Sequence, residues 1–262
     1  MEKPLFLRRA TGLALTIAGE ALAEAARDGL DRIADAASGV CLRRLRRLSI
    51  GVYGFFASRI LLPLWPTLAV AHPDLAVDLH TSLNPLDLLP GRYDAVIAVS
   101  DGAPRVGLVT HRLVPIATVP VCAPVWLKGG APNFAAVPLL HARPRPDDWR
   151  RWLDHAKLGP VLVQGGSSFE SIGLAIEAAA MGLGFAIAIH ALLAPDLARG
   201  AVAIAHKTIR PTRRHFVLQY EARYAEDPSL ATFAAWLRDR LPNREEASTD
   251  LVRGSDPHSS PR

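Results

Sequence analysis

From Leu48 onward, short apolar runs alternate with longer stretches of helical period, and this alternation constrains the fold more than any other feature of the chain. Leu48 to Val52 reads as a strand, and Ser58 to His72 as a helix with Pro63 near its start and Pro66 inside it. Leu75 to His80 is a strand, Leu86 to Leu89 a short helix closed by Pro90-Gly91, and Asp94 to Val99 a buried strand. Residues 109 to 125 are strand-rich, and Pro146 to Asp154 starts a further helix. A strand at Val161 to Val163, a helix at Phe169 to Met181 and a buried strand at Phe185 to Ile189 follow. His215 to Tyr220 forms one more strand, and Ser229 to Leu241 an amphipathic closing helix. Strands separated by helices do not pair as hairpins. The helix carries the chain back along the sheet, so neighbouring strands run parallel and the predicted class is α/β.

Ahead of Leu48 the pattern differs. Leu13-Ala14-Leu15 is strand-like, and Thr16 then stands where an N-cap belongs, with Glu20 in the first turn to complement the helix dipole. Leu22, Ala26, Leu30, Ile33, Ala37 and Val40 recur every three or four residues, flanked by Glu24, Arg27, Asp28, Asp31, Arg32 and Asp35. Such a stripe on a long single helix suits packing against a second copy, so Leu22, Ala26, Leu30, Ile33 and Ala37 are read as dimerisation residues. A helix lying on its own domain is the other reading. The basic run Arg43-Arg44-Leu45-Arg46-Arg47 suits the negative end of that helix and a solvated hinge. After Pro242 the chain turns Ser-, Pro- and charge-rich, which predicts a disordered tail over 242–262.

Composition fits a globular protein with a substantial core: 262 residues, half of them apolar and 21% charged. A formal charge of +5 is compatible with nucleic acid or acidic lipid without demanding either. Cys41 and Cys122 lie far apart, forming neither a disulfide framework nor a CxxC, which fits a reducing, cytoplasmic compartment. The apolar region from Ile172 to Ala194 is interrupted by Glu177, Gly182, Gly184 and His190, so no membrane span is expected there. Arg8-Arg9, a mildly apolar stretch and Ala21-Leu22-Ala23 imitate an export signal, although the stretch contains Gly12, Thr16 and Gly19 and ends at Glu20.

No catalytic signature is present. The nine histidines show no metal-ligand spacing, and GxSxG, GxGxxG and P-loop patterns are missing. His141 and Asp147 form no acid–base pair that a neighbouring nucleophile would use. The chain is therefore read as a non-enzyme without cofactor or metal.

Pro4-Leu5-Phe6-Leu7-Arg8 followed by Leu15-Thr16-Ile17-Ala18-Gly19-Glu20 resembles a segment of LysR-type transcriptional regulators, in which PLFxR opens the wing of a winged helix-turn-helix and LTxAGE closes it. Leu140-His141, Arg145 to Trp149, Trp152-Leu153 and Glu177 to Gly184 resemble the branch that includes the glycine-cleavage activator. Read from the residues alone, Asp147, Asp148 and Trp149 are a capped helix start with an anchoring aromatic.

The resemblance covers residues 4 to 241 and implies a division of the chain: a wing remnant at 1–15, a linker and dimerisation helix at 16–47, and an effector-binding domain at 48–241. That domain would have the two-lobed, periplasmic-binding-protein-like type 2 fold, its second lobe at about 120–215. Family members carry three helices ahead of PLFxR, the third reading the major groove, and these have no counterpart here. The resemblance therefore implies an N-terminally truncated regulator with DNA, a small-molecule effector and a second copy (as homodimer or homotetramer) for partners, and no membrane. Arg8 and Arg9 on the wing are left to touch DNA phosphates, which position a protein without reading sequence.

In such sheets ligands sit at the carboxyl ends of strands. This points to three stretches as effector-binding: Gly54, Phe55, Phe56 and Ser58 after the first domain strand; Ser100 and Asp101 after Val99; and Ser167, Ser168 and Phe169 after Gly165-Gly166. Free backbone N–H groups and hydroxyls at the third stretch suit a carboxylate, so an organic or amino acid is the expected effector. A ligand-binding module without DNA function stays open beside the regulator, either exported, with cleavage after Ala23, or acting by heterodimerising with full-length regulators.

Overall fold

The computed structural model describes residues 4–9, 12–23, 25–26, 29–30, 33, 46–83, 88–128, 133–159 and 166–241. The readings placed on Ala37, Val40, Cys41, Arg43 to Leu45, the helix at Leu86, the strand at Val161 to Val163, Gly165 and the tail lie outside these residues.

At the N-terminal end, β1 (Phe6–Arg9) and β2 (Gly12–Leu15) form an antiparallel hairpin. Thr16 follows as N-cap, its Oγ1 accepting from the Gly19 N–H at 3.0 Å while donating to Pro4 O at 2.8 Å. Gly19 is buried where the helix meets the hairpin, and a Cβ there would fall 2.0 Å from Leu5 O, so only glycine allows the approach. Residues 17–23, 25–26, 29–30 and 33 are helical, with Leu22, Leu30 and Ile33 53%, 64% and 67% exposed and Ala26 exposed beside them. This stretch of the stripe is not covered by the chain's own domain.

The domain is a mixed, curled sheet in the order β4-β3-β5-β11-β6-β9-β7-β8, with β10 paired to β6. Its strands are β3 (Leu48–Tyr53), β4 (Val77–Ser82), β5 (Ala95–Ser100), β6 (Leu108–Cys122), β7 (Leu139–Ala142), β8 (Ser168–Phe169), β9 (Phe185–Ile189), β10 (Ala203–Ile204) and β11 (Arg210–Glu221). The expected parallel pairing holds where helices intervene: β3 with β4 and β5, and β7 with β8 and β9. It fails at the centre, where β11 runs antiparallel to β5 and β6, and β6 antiparallel to β9. Strands β6 and β11 are long enough to belong to both halves of the sheet, and so they join two lobes.

The first lobe packs α1 (Gly54–Ala71) and α5 (Pro228–Arg240) around Phe56, Leu61, Phe216, Phe233 and Trp236. Helix α1 contains a π-turn at Ala57–Leu61, ending two residues before Pro63, which has no N–H to give to the ladder. By length and apolar content α1 could cross a membrane, yet Phe56, Ala57, Leu61 and Leu68 sit in the core. The second lobe packs α3 (Ile172–Ala180) and α4 (Ala194–Ala198) on one side of its strands. The other side holds α2 (Asp148–Ala156), whose Trp149 and Trp152 pack against Phe134, which in turn packs against Phe185. Helix α3 starts later than its sequence pattern suggests. Ser171 Oγ caps it by accepting from the Leu174 N–H at 3.2 Å, and Ser168–Phe169 form β8 in parallel pairing beside β7 instead.

Candidate functional site

The carboxyl ends of β3 and β5 face the second lobe across a cleft of about 810 Å³. From the first lobe Tyr53, Gly54, Phe55, Phe56, Val99 and Phe216 supply an aromatic and aliphatic wall; from the second, Ser171, Ile172 and Ile189 face it. The rim is charged. Arg145, Asp147, Asp148 and Arg151 come from the start of α2, and Arg210, Arg213 and Arg214 from β11.

The β11 arginines reach the cleft through an irregularity in the sheet. Pairing with β6 runs through Pro211↔Ala117 and resumes at His215↔Pro115, which leaves Thr212 to Arg214 out of the ladder. Thr212 Oγ1 stabilises this bulge, donating to Ile116 O at 2.6 Å and accepting from the Arg214 N–H at 3.1 Å.

The charges are unevenly matched. Arg145 grips Asp148 with Nε–Oδ2 at 2.6 Å and Nη2–Oδ1 at 3.0 Å, and Arg151 reaches Asp147 at 3.1 Å. Arg210, Arg213 and Arg214 form no close ion pair among the described residues, although the charge of Asp148 reaches Arg210. Five arginines and two aspartates leave three positive charges in excess on the cleft wall. Burial lowers the pKa of Arg210, with Asp148 opposing that effect and Arg151 and Arg145 adding to it. Burial pushes the Tyr53 hydroxyl up, opposed by the charge of Arg214. This combination has the chemistry to suit an anion in a partly dry site with an apolar body beside it. Among the described residues no group of His, Cys, Asp or Glu converges as metal ligands would.

Of the residues singled out in the sequence, Gly54, Phe55 and Phe56 line the cleft. Ser58, Ser100, Asp101, Ser167, Ser168 and Phe169 do not. Ser58 Oγ donates to Phe55 O at 3.2 Å, and Ser100 Oγ is taken up by Asp101 Oδ1 and the Gly102 N–H. Backbone and near-neighbour hydrogen bonds consume these hydroxyls. Asp101 accepts from the Ala103 N–H at 3.0 Å, and that bond, chief among several, holds its pKa below the ordinary value. Ser167 and Ser168 are exposed at the β8 edge, and Phe169 packs against the second-lobe core.

The capped helix start read at Asp147 is corrected in part. Trp149 anchors α2 through Nε1–H to Leu140 O at 2.9 Å, but Asp147 makes no side-chain cap bond and serves the arginines instead. The sequence reading passed over Arg210 to Arg214. Its available signal was a proline inside a basic run directly ahead of an apolar strand, the pattern of a strand with a bulge. On β1, Arg8 pairs with Leu13 and Arg9 with Gly12 through the hairpin register.

Comparison with known proteins agrees with this architecture. Residues 43–242 match the model of the LysR substrate binding domain. The HTH-type transcriptional regulator TrpI of Pseudomonas aeruginosa is 30% identical over 248 residues, covering 90% of this chain and 82% of the relative. The glycine cleavage system transcriptional activator of Escherichia coli K12 is 24% identical over 248 residues, 92% of this chain and 81% of the relative. The solved effector domain of the transcriptional regulator AmpR of Pseudomonas aeruginosa superposes with TM-score 0.66 at 25% identity, over 78% of this chain and 99% of that one. Full-length AphB of Vibrio cholerae shares the fold, with TM-score 0.63 at 19% identity over 91% of this chain and 84% of that one. Sheet, cleft and matches together define a two-lobed effector-binding domain of the periplasmic-binding-protein-like type 2 fold. The chain belongs to the LysR family of transcriptional regulators.

Proposed function

We propose that the interlobe cleft is the effector site and that its ligand is a small organic or amino acid. Its carboxylate is received by Arg210, Arg213 and Arg214, and its apolar part lies against Phe55 and Phe216. The observation that carries this reading is the excess of three positive charges, with Arg210, Arg213 and Arg214 outside any close ion pair, beside an aromatic wall. Gly54, Phe55 and Phe56 stand as effector-binding residues on this reading, joined by Ser171 and the β11 arginines.

The rest of the reading concerns the chain around the site. Residues 1–15 act as a wing whose Arg8 and Arg9 meet DNA phosphates, 16–47 as a linker and dimerisation helix, and 48–241 as the sensor, working as a homodimer or homotetramer in the cytoplasm. The exposed apolar stripe of Leu22, Leu30 and Ile33 supports self-association. No catalytic step is assigned, and the relatives are named as transcriptional regulators.

The test is thermal unfolding of the full chain with a panel of amino and organic acids, each beside its neutral amide. A ligand at 100 times its Kd stabilises by about 2.7 kcal/mol. Acids that raise Tm where their amides do not, with the response lost in Arg214→Gln, are the expected result. Equal stabilisation by acid and amide, or a response unchanged by Arg214→Gln, overturns the reading.

A further inference from the structure

The Phe55 ring in the cleft wall is held by groups from both lobes. Arg59 stands four residues later, inside the π-turn of α1, and its guanidinium carbon lies 5.3 Å from the Phe55 ring centroid. The Nε of the same guanidinium donates to Asp196 Oδ2 at 2.8 Å. Asp196 belongs to α4 in the second lobe and is buried, and its Oδ1 accepts from Arg199 Nη2 at 2.5 Å. Phe55 also lies against the first turn of α3, where a Cβ at Gly173 would stand 3.1 Å from Phe55 Cδ2. The ring therefore packs against the cores of both lobes.

We propose that Arg59 and Asp196 are positioning residues for the cleft: an ion pair across the lobes that fixes their spacing and holds the Phe55 ring in the wall. A buried carboxylate has to keep its cation. Arg199 is mostly exposed, so Arg59 is the partner that closes Asp196 off from water. Parting the lobes at this edge would leave Asp196 with only the exposed Arg199 and remove the cation from the Phe55 face together, which penalises the open arrangement. The π-turn presents Arg59 for this contact, a use of local helix irregularity common at working sites.

Amide hydrogen exchange of the unliganded full chain, read by mass spectrometry, tests the latch without any ligand. Arg59→Met keeps a long apolar side chain beside Phe55 and removes the charge. Exchange is expected to rise about tenfold in both lobes, over residues 54–61 and also over 172–176 and 190–198, while the middle of β6 and β11 stays protected. Arg59→Lys, which restores the charge, brings 190–198 back to within about threefold of the unaltered protein. A rise confined to 54–61, or no recovery in Arg59→Lys, overturns the proposal.

A second arm rests on the effector reading. 8-Anilinonaphthalene-1-sulfonate, an aromatic anion, is titrated into each variant, and the cleft component is the part lost in Arg214→Gln. Arg59→Met weakens that component about fivefold if Phe55 is held as proposed, and unchanged affinity counts against it. Absence of any Arg214-dependent component overturns the effector reading, while the exchange result still stands or falls alone.

Discussion

Replacing Arg46 should loosen the point where the chain enters the effector-binding domain. Its Nη1 lies 2.9 Å from Asp94 Oδ1 and its Nε 2.5 Å from Asp227 Oδ2. Both carboxylates hold backbone as well: Asp94 accepts from the Ser49 N–H at the start of β3, and Asp227 from the Leu230 N–H at the start of α5. Burial by itself would lower the Arg46 pKa, but hydrogen bonds and charge from Asp227 and Asp94 outweigh it and raise the value. Breaking a fully buried pair costs about 3–5 kcal/mol. With the Arg46 side chain 26% exposed, water recovers part of that, so Arg46→Ala should cost about 2 kcal/mol. For a domain of this size that is a Tm fall of about 4–8 °C. Urea unfolding should show the same loss with an unchanged m-value. A double-mutant cycle with Asp94→Asn then isolates the pair, with coupling of about 1 kcal/mol expected. A Tm shift under about 1 °C, or coupling within about 0.3 kcal/mol of zero, would refute the reasoning.

Trp152 is fully buried, stacks with Phe134 and Trp149, and donates from Nε1 to Thr208 O at 3.1 Å, so Trp152→Ala should cost about 3–5 kcal/mol by urea unfolding. A cost below about 1 kcal/mol would mean that this aromatic cluster does not hold the second lobe. Burial pushes the Cys122 thiol up to about 11 from an ordinary 9.0, so the folded chain keeps a proton that the unfolded chain releases. Stability should therefore be untouched by this group below pH 9 and fall as pH rises from there towards 11; fast alkylation of native Cys122 at pH 8 would contradict it. Leu30→Asp with Ile33→Asp should shift sedimentation to the monomer, and an unchanged profile would remove the helix stripe from the interface.

Where a segment's hydrophobic period matched its environment, the sequence was readable. Phe185 to Ile189 is apolar throughout because it is covered on both faces, and its predicted bounds match the strand. Phe55 and Phe56 were legible as cleft residues from their place after a strand end. The two long strands were not. Pro115, Pro120 and Pro211 look like breaks, yet each is accommodated within β6 or β11. The strand predicted from His215 to Tyr220 leaves Arg210 to Arg214 outside it for the same reason, so the cationic side of the cleft was hidden. The serines failed in the opposite direction. Ser58 and Ser100 have ligand-like chemistry, but Ser58 is bonded to nearby backbone and Ser100 to a nearby N–H and carboxylate, contacts that spacing does not reveal.

The position of the bulge bears on how a signal would leave the site. Thr212 to Arg214 lie where β6 and β11 pass from one lobe to the other, and they lack ladder partners on β6. Their side chains can move without breaking strand pairing, whereas a shift of Arg210 would pull on Thr118. Arg210 is repelled by Arg145 and Arg151 of the second lobe, and an anion between them would relieve that repulsion most when the lobes are close. A ligand changes a conformational equilibrium only through its differential affinity for the two states. On the proposed effector reading, that differential would reside in Arg213 and Arg214 on the bulge at the crossing between the lobes, with Arg210 in the ladder beside them. A neutral ligand of the same shape would not draw those charges together, so it should bind too weakly to raise Tm as its acid does and should leave the lobe spacing where it was.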